Sequence, residues 1–191
     1  MTNILSVGMV YDHSFDKSEE LQSIIQYFLN LKSDIFSIKV NMDEDGENWL
    51  ESHRNEKNFL LDYTLLTEHF FGEILMHLND FWSLNNLFLT LRLVKEEDFF
   101  GYILEFDLEQ LLNQYSLDVI NELIIDLVID IYGITTFRYA FCDHDSEIEY
   151  SPSYKELVKV YSILMLPREK NGFDVIKNNW QIDGFTERNK I

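Results

Sequence analysis

The chain has 191 residues, with 34 Asp and Glu against 15 Lys and Arg, for a formal net charge of −19. Apolar residues make up 46% and aromatics 15%, which supports a real core and argues against disorder. Such acidity repels nucleic acid and anionic lipid, so neither is an expected partner; cations and basic proteins are.

The single cysteine, Cys142, excludes an intrachain disulfide and fits a reducing cytoplasm. The opening MTNILSVGMVYDHSF has no basic n-region and no small-residue cleavage site, so no signal peptide is expected. No run approaches ~18 uninterrupted apolar residues. Two prolines and seven glycines leave little room for linkers. One domain over residues 1–191 is expected, with the chain after about residue 185 frayed.

Ile4–Tyr11 is short and apolar throughout and reads as a buried strand. Ser18 is placed to cap a helix to about Leu31, with Leu21, Ile24, Ile25, Phe28 and Leu31 on one face. Ile35–Met42 alternates with strand period, placing Phe36, Ile38, Val40 and Met42 on one side. The turn Asp43-Glu44-Asp45-Gly46 leads to a return strand at Glu47–Leu50, and His53–Asn58 reads as a loop. Tyr63–Leu78 reads as a second amphipathic helix despite Gly72 inside it. Leu87–Val94 and Phe99–Phe106 flank a charged turn and predict a hairpin.

Asp107–Gln114 reads as a short helix. Leu117–Tyr132 is a long one, capped by Ser116 and ended by Gly133 in a left-handed turn. Thr135–Cys142 is the next strand, followed by the acidic stretch Asp143–Glu149. Val158–Leu166 and Phe173–Ile176 predict a hairpin closed at Asn171-Gly172, with a helix through Tyr154–Ser162 as the alternative. Trp180–Gly184 reads as a last edge strand. Helices and strands are partly segregated, so the expected class is α+β: a mostly antiparallel sheet packed against two or three amphipathic helices.

The charge is uneven. Residues 1–95 carry 15 acids and 7 bases, residues 96–150 carry 14 acids and the single base Arg138, and residues 151–191 carry 5 acids and 7 bases. At the centre lies Leu117–Tyr132, where Asp118, Glu122, Asp126 and Asp130 recur every fourth residue and form one stripe of a helix. Such a stripe is a solvated edge or a contact face. With Asp143–Glu149 and Glu96-Glu97-Asp98 it could form one negative surface. The candidate contacts are Asp126, Asp130, Asp143, Asp145, Glu147, Glu149 and Tyr150, with Tyr139, Tyr154 and Trp180 as further anchors or core residues.

Catalytic signals are weaker. Asn41–Gly46 imitates the start of a calcium loop, but Ser52 stands where a bidentate Glu is required, and a hairpin turn explains the same residues. Asp143, His144 and Asp145 could serve a metal-assisted hydrolase, and Cys142 with His144 a nucleophile and base. Strand alternation splits each set, placing Cys142 and His144 on one side and Asp143 and Asp145 on the other. Glu147 and Glu149 as an acid–base pair carry no specificity among 34 acids. No phosphate loop, dinucleotide fingerprint or nucleophile elbow occurs, so no cofactor is expected. A structural subunit of an acidic homo-oligomer is a further alternative.

Three stretches carry a resemblance: the opening ILSVGMVY with its following helix, FRYAFCDHDSEIEYS in the middle, and WQIDG near the end. Together they resemble the cytoplasmic immunity proteins that accompany bacterial polymorphic toxins, in particular the α+β family of immunity protein 64, over nearly the whole chain. The resemblance implies a non-enzymatic protein that binds and blocks a cognate toxin. It transfers no catalytic residue, no contact residue and no toxin activity.

Overall fold

The computed structural model describes residues 3–43, 45–56, 59, 61–69, 71–169 and 172–182. Among them nine strands form one sheet in which every neighbouring pair is antiparallel. In chain order the elements are β1 (Ile4–Asp12), α1 (Lys17–Asn30), β2 (Asp34–Asn41), β3 (Trp49–His53), α2 (Tyr63–Glu68), β4 (Phe71–Leu78) and β5 (Leu87–Lys95). They continue with β6 (Phe99–Asp107), α3 (Leu108–Leu112), α4 (Leu117–Tyr132), β7 (Tyr139–His144), a 3-10 turn at Leu157–Lys159, β8 (Ile163–Pro167) and β9 (Phe173–Lys177). Across the sheet the strands run β3-β2-β4-β5-β6-β1-β7-β8-β9. Among the described residues strand outweighs helix, 38% to 25%, so the sheet dominates this α+β fold.

The sheet's two faces differ. On one, the helix side, Ile38, Ile74, Leu91, Leu104, Val7, Cys142 and Ile163 follow one another across seven strands, all buried. Leu21, Ile24, Ile25 and Phe28 of α1 and Ile120, Ile124, Leu127, Val128 and Ile131 of α4 join the same core. On the far side, Val10, Ile103, Phe141 and Leu164 form a second core with Ile148, Leu157 and Tyr161, contributed by the chain between β7 and β8. That cover reaches only the β6–β8 half. Over β2, β3 and β5 the far side leaves Phe36, Trp49 and Phe88 exposed.

Several local expectations shift. Asp16, not Ser18, caps α1: its carboxylate accepts from the backbone N–H groups of Ser18 and Glu19, and a carboxylate at the positive end of the helix does this better than a hydroxyl. In β2 a bulge between Ile35 and Ser37 turns Phe36 to the far side, so Ile35, Ile38 and Val40 face the core while Phe36 is 50% exposed. β3 runs to His53, which the sequence placed in a loop.

The largest correction concerns Tyr63–Leu78. Only Tyr63–Glu68 is helical, and Phe71–Leu78 is a central strand. Its burial alternates, with Gly72, Ile74, Met76 and Leu78 inside, the period-two signature that Gly72 hinted at. A Cβ on Gly72 would lie 2.4 Å from the backbone oxygen of Leu66, so the helix-to-strand reversal needs glycine there.

Gly133 closes α4 in ordinary right-handed geometry, φ −66°. The strand after it starts only at Tyr139, since Thr135 is drawn into the core by a 3.1 Å hydrogen bond between its hydroxyl and that of Tyr11. Of the expected helix at Tyr154–Ser162 only the 3-10 turn forms. Trp180 and Ile182 are no strand but a plug: both are buried, and the indole N–H of Trp180 donates to Asn121 Oδ1 at 3.0 Å. Asn171 and the chain from Asp183 onward, including the expected fraying, lie outside the described residues.

Two outcomes follow. Gly72→Ala forces backbone against backbone and should cost about 1–3 kcal/mol, read as a lowered midpoint in urea unfolding. Glu20, partly buried on α1, is pushed up to about 7 by burial first and then by Glu19 and Asp16. Between its ordinary value and 7 the native state holds a proton that the unfolded chain has lost, so this group's contribution to stability falls as pH rises through that window. Glu20→Gln should therefore raise the melting temperature more at about pH 8 than at about pH 5.

Candidate functional site

α4 forms because Ser116 accepts from the Val119 backbone N–H at 3.4 Å and the apolar residues between the acids fill one broad face. That face packs on the sheet and the acid stripe turns to water: Asp118, Glu122, Asp126 and Asp130 are all exposed. Glu122 is paired with Lys177 of β9 at 2.6 Å. Asp130 Oδ2 accepts from the Tyr27 hydroxyl of α1 at 3.2 Å. Partial burial and the Asp130 charge push the Tyr27 hydroxyl up to about 12, so it stays a donor at neutral pH. Among the described residues no Lys or Arg pairs with Asp118, Asp126 or Asp130.

The acids after β7 are placed differently. Asp143 sits opposite Ser6 on the far side of the sheet. Its carboxylate accepts from the Ser162 hydroxyl at 2.7 Å, the Ser162 N–H at 3.2 Å and the His144 N–H at 2.8 Å. Asp145 takes a left-handed conformation, φ 50°, and its N–H donates to the Ile4 carbonyl at 2.9 Å. Glu147 meets the Arg92 guanidinium at 2.7 Å, and Arg92 also holds Glu105. Next, Ile148 buries its side chain over Gly101. Glu149 is exposed, and the half-buried Tyr150 stacks on Tyr154 with ring centroids 4.6 Å apart. Tyr139 and Trp180, offered as anchors, are core residues.

The structure therefore brings Asp126 and Asp130 together on the helix side, and Asp143, Glu147, Glu149 and Tyr150 together on the far side, with the sheet between the two groups. The turn Glu96–Asp98 lies at the Asp12 end of β1, whereas Asp143 and Asp145 lie at its Ile4 end. One continuous negative surface through all of them does not form.

The catalytic alternatives find no assembled centre. Cys142 and His144 do share a side, but Cys142 is fully buried, and burial pushes its thiol well up, away from the reactive thiolate. Asp143 is occupied by Ser162, and Asp145 turns away in its left-handed bend. Among the described residues no group of three or more His, Cys, Asp or Glu is arranged to hold a metal ion. In the calcium-like turn, Asp43 accepts from the backbone N–H groups of Glu47 at 3.0 Å and Asn48 at 3.1 Å, which is hairpin chemistry.

Sequence reasoning passed over the stretch between β4 and β5. There Asp80, Trp82, Ser83 and Asn86 all take left-handed backbone conformations. The density of Asn, Asp and Ser was a usable signal, because those residues tolerate that region; nothing announced Trp82. The loop is pinned by the Tyr115 hydroxyl donating to the Trp82 carbonyl and by Trp82 packing on Phe106 at 5.2 Å. It faces α4.

The site is thus a nine-stranded sheet with helices on one face and carboxylates spread over both sides of it. The sequence model of a family described as Immunity protein 64 matches residues 3–188, and the chain belongs to that family. The family implies a toxin partner and is generally non-enzymatic. No curated protein and no solved structure matches the chain.

Asp143 is the candidate whose geometry separates structure from binding. Asp143→Ala should remove three hydrogen bonds that tie β7 to Ser162 and lower stability by about 2–3 kcal/mol in urea unfolding, whereas Asp145→Ala should stay within about 0.5 kcal/mol.

Proposed function

We propose that this chain is a cytoplasmic antitoxin that binds a cognate, basic toxin domain and blocks it by covering the toxin's substrate site, without catalysis of its own. The observation that carries this reading is the family match over residues 3–188, taken with the 14 acids and single base between residues 96 and 150. The charge map supports a basic partner. Opposite charge raises encounter rates roughly 10–10³-fold and sets orientation, and a nuclease-type toxin carries positive charge to hold its substrate. The same field keeps the antitoxin off nucleic acid and anionic membranes. Exposed carboxylates able to act in this way include Asp126 and Asp130 on the helix side, Glu147 and Glu149, with Tyr150, on the far side, and Asp145 in the bend after β7. Asp143 adds to the field although its oxygens are engaged within the chain.

The test pairs this chain with the C-terminal domain of the protein encoded beside it. Equimolar chain should abolish that domain's toxicity in cells and its activity in solution. The association rate should fall about tenfold or more as salt rises from about 0.05 to about 0.5 M. Toxicity unchanged by the chain would remove the proposal; protection with a salt-independent rate would remove its electrostatic part.

A further inference from the structure

A groove runs between α1 and α4 on the helix side. The two helices are bridged where the Tyr27 hydroxyl donates to Asp130. On one side of Tyr27 lies a cavity of about 330 Å³, walled by Asp80 and Trp82 of the left-handed loop and by Asp126 and Asp130 of α4. On the other lies a cavity of about 550 Å³ that reaches Ile134. Tyr27 and Leu31 line both cavities, so they form one groove.

Its floor is apolar and open: Leu31 is 41% exposed and Ile134 is 49% exposed. Its wall is acidic, and among the described residues no base pairs with Asp80, Asp126 or Asp130. Here the two acid groups of the chain part company. On the far side Glu147 is engaged by Arg92, which it shares with Glu105, and the oxygens of Asp143 are engaged by Ser162 and the His144 N–H. A carboxylate that already holds an arginine offers a partner less than one with no base beside it.

The third feature is the loop wall. A bulky residue at φ 50°, such as Trp82, costs about 1–3 kcal/mol and persists only because Tyr115 and Phe106 hold it. The strain holds an indole and the Asp80 carboxylate at the mouth of the groove.

We propose that this groove receives a cationic segment of the toxin, one that sets Arg or Lys heads against Asp80, Asp126 and Asp130 and lays their stems and an apolar neighbour along Tyr27, Leu31, Ile134 and Trp82. Long basic side chains suit such a site because they are apolar along the stem and charged at the tip, and an arginine head also stacks on Trp or Tyr. The inference rests on the antitoxin reading and assigns it a face.

The probe is the adjacent-frame toxin domain, inactivated by substitution, and the readout is its dissociation constant by calorimetry. The double variant Asp126→Lys with Asp130→Lys should weaken binding about 100-fold, and Leu31→Ala with Ile134→Ala about 10-fold, with unchanged circular dichroism for both. Phe88→Ala on the uncovered sheet face should stay within about threefold, and Asp145→Lys with Glu149→Lys should slow association but cost less affinity than the Asp126 and Asp130 pair. Groove variants that bind within about threefold of the unaltered chain, or a larger loss from the far-side variants, would overturn the groove while leaving the antitoxin reading in place. Failure of the unaltered chain to bind the domain would overturn both.

Discussion

The buried row from Ile38 through Ile74, Leu91, Leu104, Val7 and Cys142 to Ile163 is the constraint on which the rest of the molecule hangs. Each such side chain contributes about 1.5–3 kcal/mol only if the face it belongs to is kept from water along its whole length. One helix cannot cover a sheet this wide. α1 and α4 therefore share the task, and the tail residues Trp180 and Ile182 fill in beside α4. Two cylinders on one broad face leave a cleft between them, and the acid groove with Tyr27 across it is that cleft. The groove is a consequence of how the core is covered.

The same requirement decides the far side. β1 is buried on both faces, and the far one, with Val10 beside Ile103 and Phe141, is covered by the chain between β7 and β8 through Ile148, Leu157 and Tyr161. Glu147 and Glu149 are carried along with that strap. Their position is set by the burial of Ile148 between them, and Arg92 meets Glu147 because the strap passes it. Of the acids of α4, Asp130 accepts from Tyr27 of α1 and Glu122 pairs with Lys177, and no buried neighbour fixes the place of any of them. They stand on the face of a helix whose opposite face does the packing, and only Glu122 has found a base. At both ends of the sheet the five-residue strands β3 and β9 are short and carry charged residues, which limits strand-to-strand association with other chains.

Much of the fold was legible in the residues. In the hairpin of β5 and β6, burial alternates along β5 while β6 is buried on both faces, and α4 announces itself by its cap and its stripe. What misled was Tyr63–Leu78. Leu65, Leu66, Ile74 and Leu78 satisfy a helical face, and Ile74, Met76 and Leu78 satisfy a strand face equally well; the choice was made by the empty place in the sheet between β2 and β5. Phe36 fell on the wrong side because one bulged residue reverses everything before it. The acid residues were legible as charges but not as a site, since Asp143 and Asp126 look alike in sequence and differ only in what their oxygens touch.

The sequence alone determined the charge balance, a net −19 of which residues 96–150 carry 14 acids and one base, and it determined the family, through motifs spread from one end of the chain to the other. Composition and local pattern suffice for these because charge sums without regard to folding and periodicity acts within a few turns. The tertiary structure decided which carboxylates remain free and which faces they share. That depends on contacts between residues far apart in the chain, such as Asp143 with Ser162, Glu147 with Arg92, and Tyr27 with Asp130. A nine-stranded sheet lies between two acid groups that are neighbours in sequence, and only the folded chain puts it there.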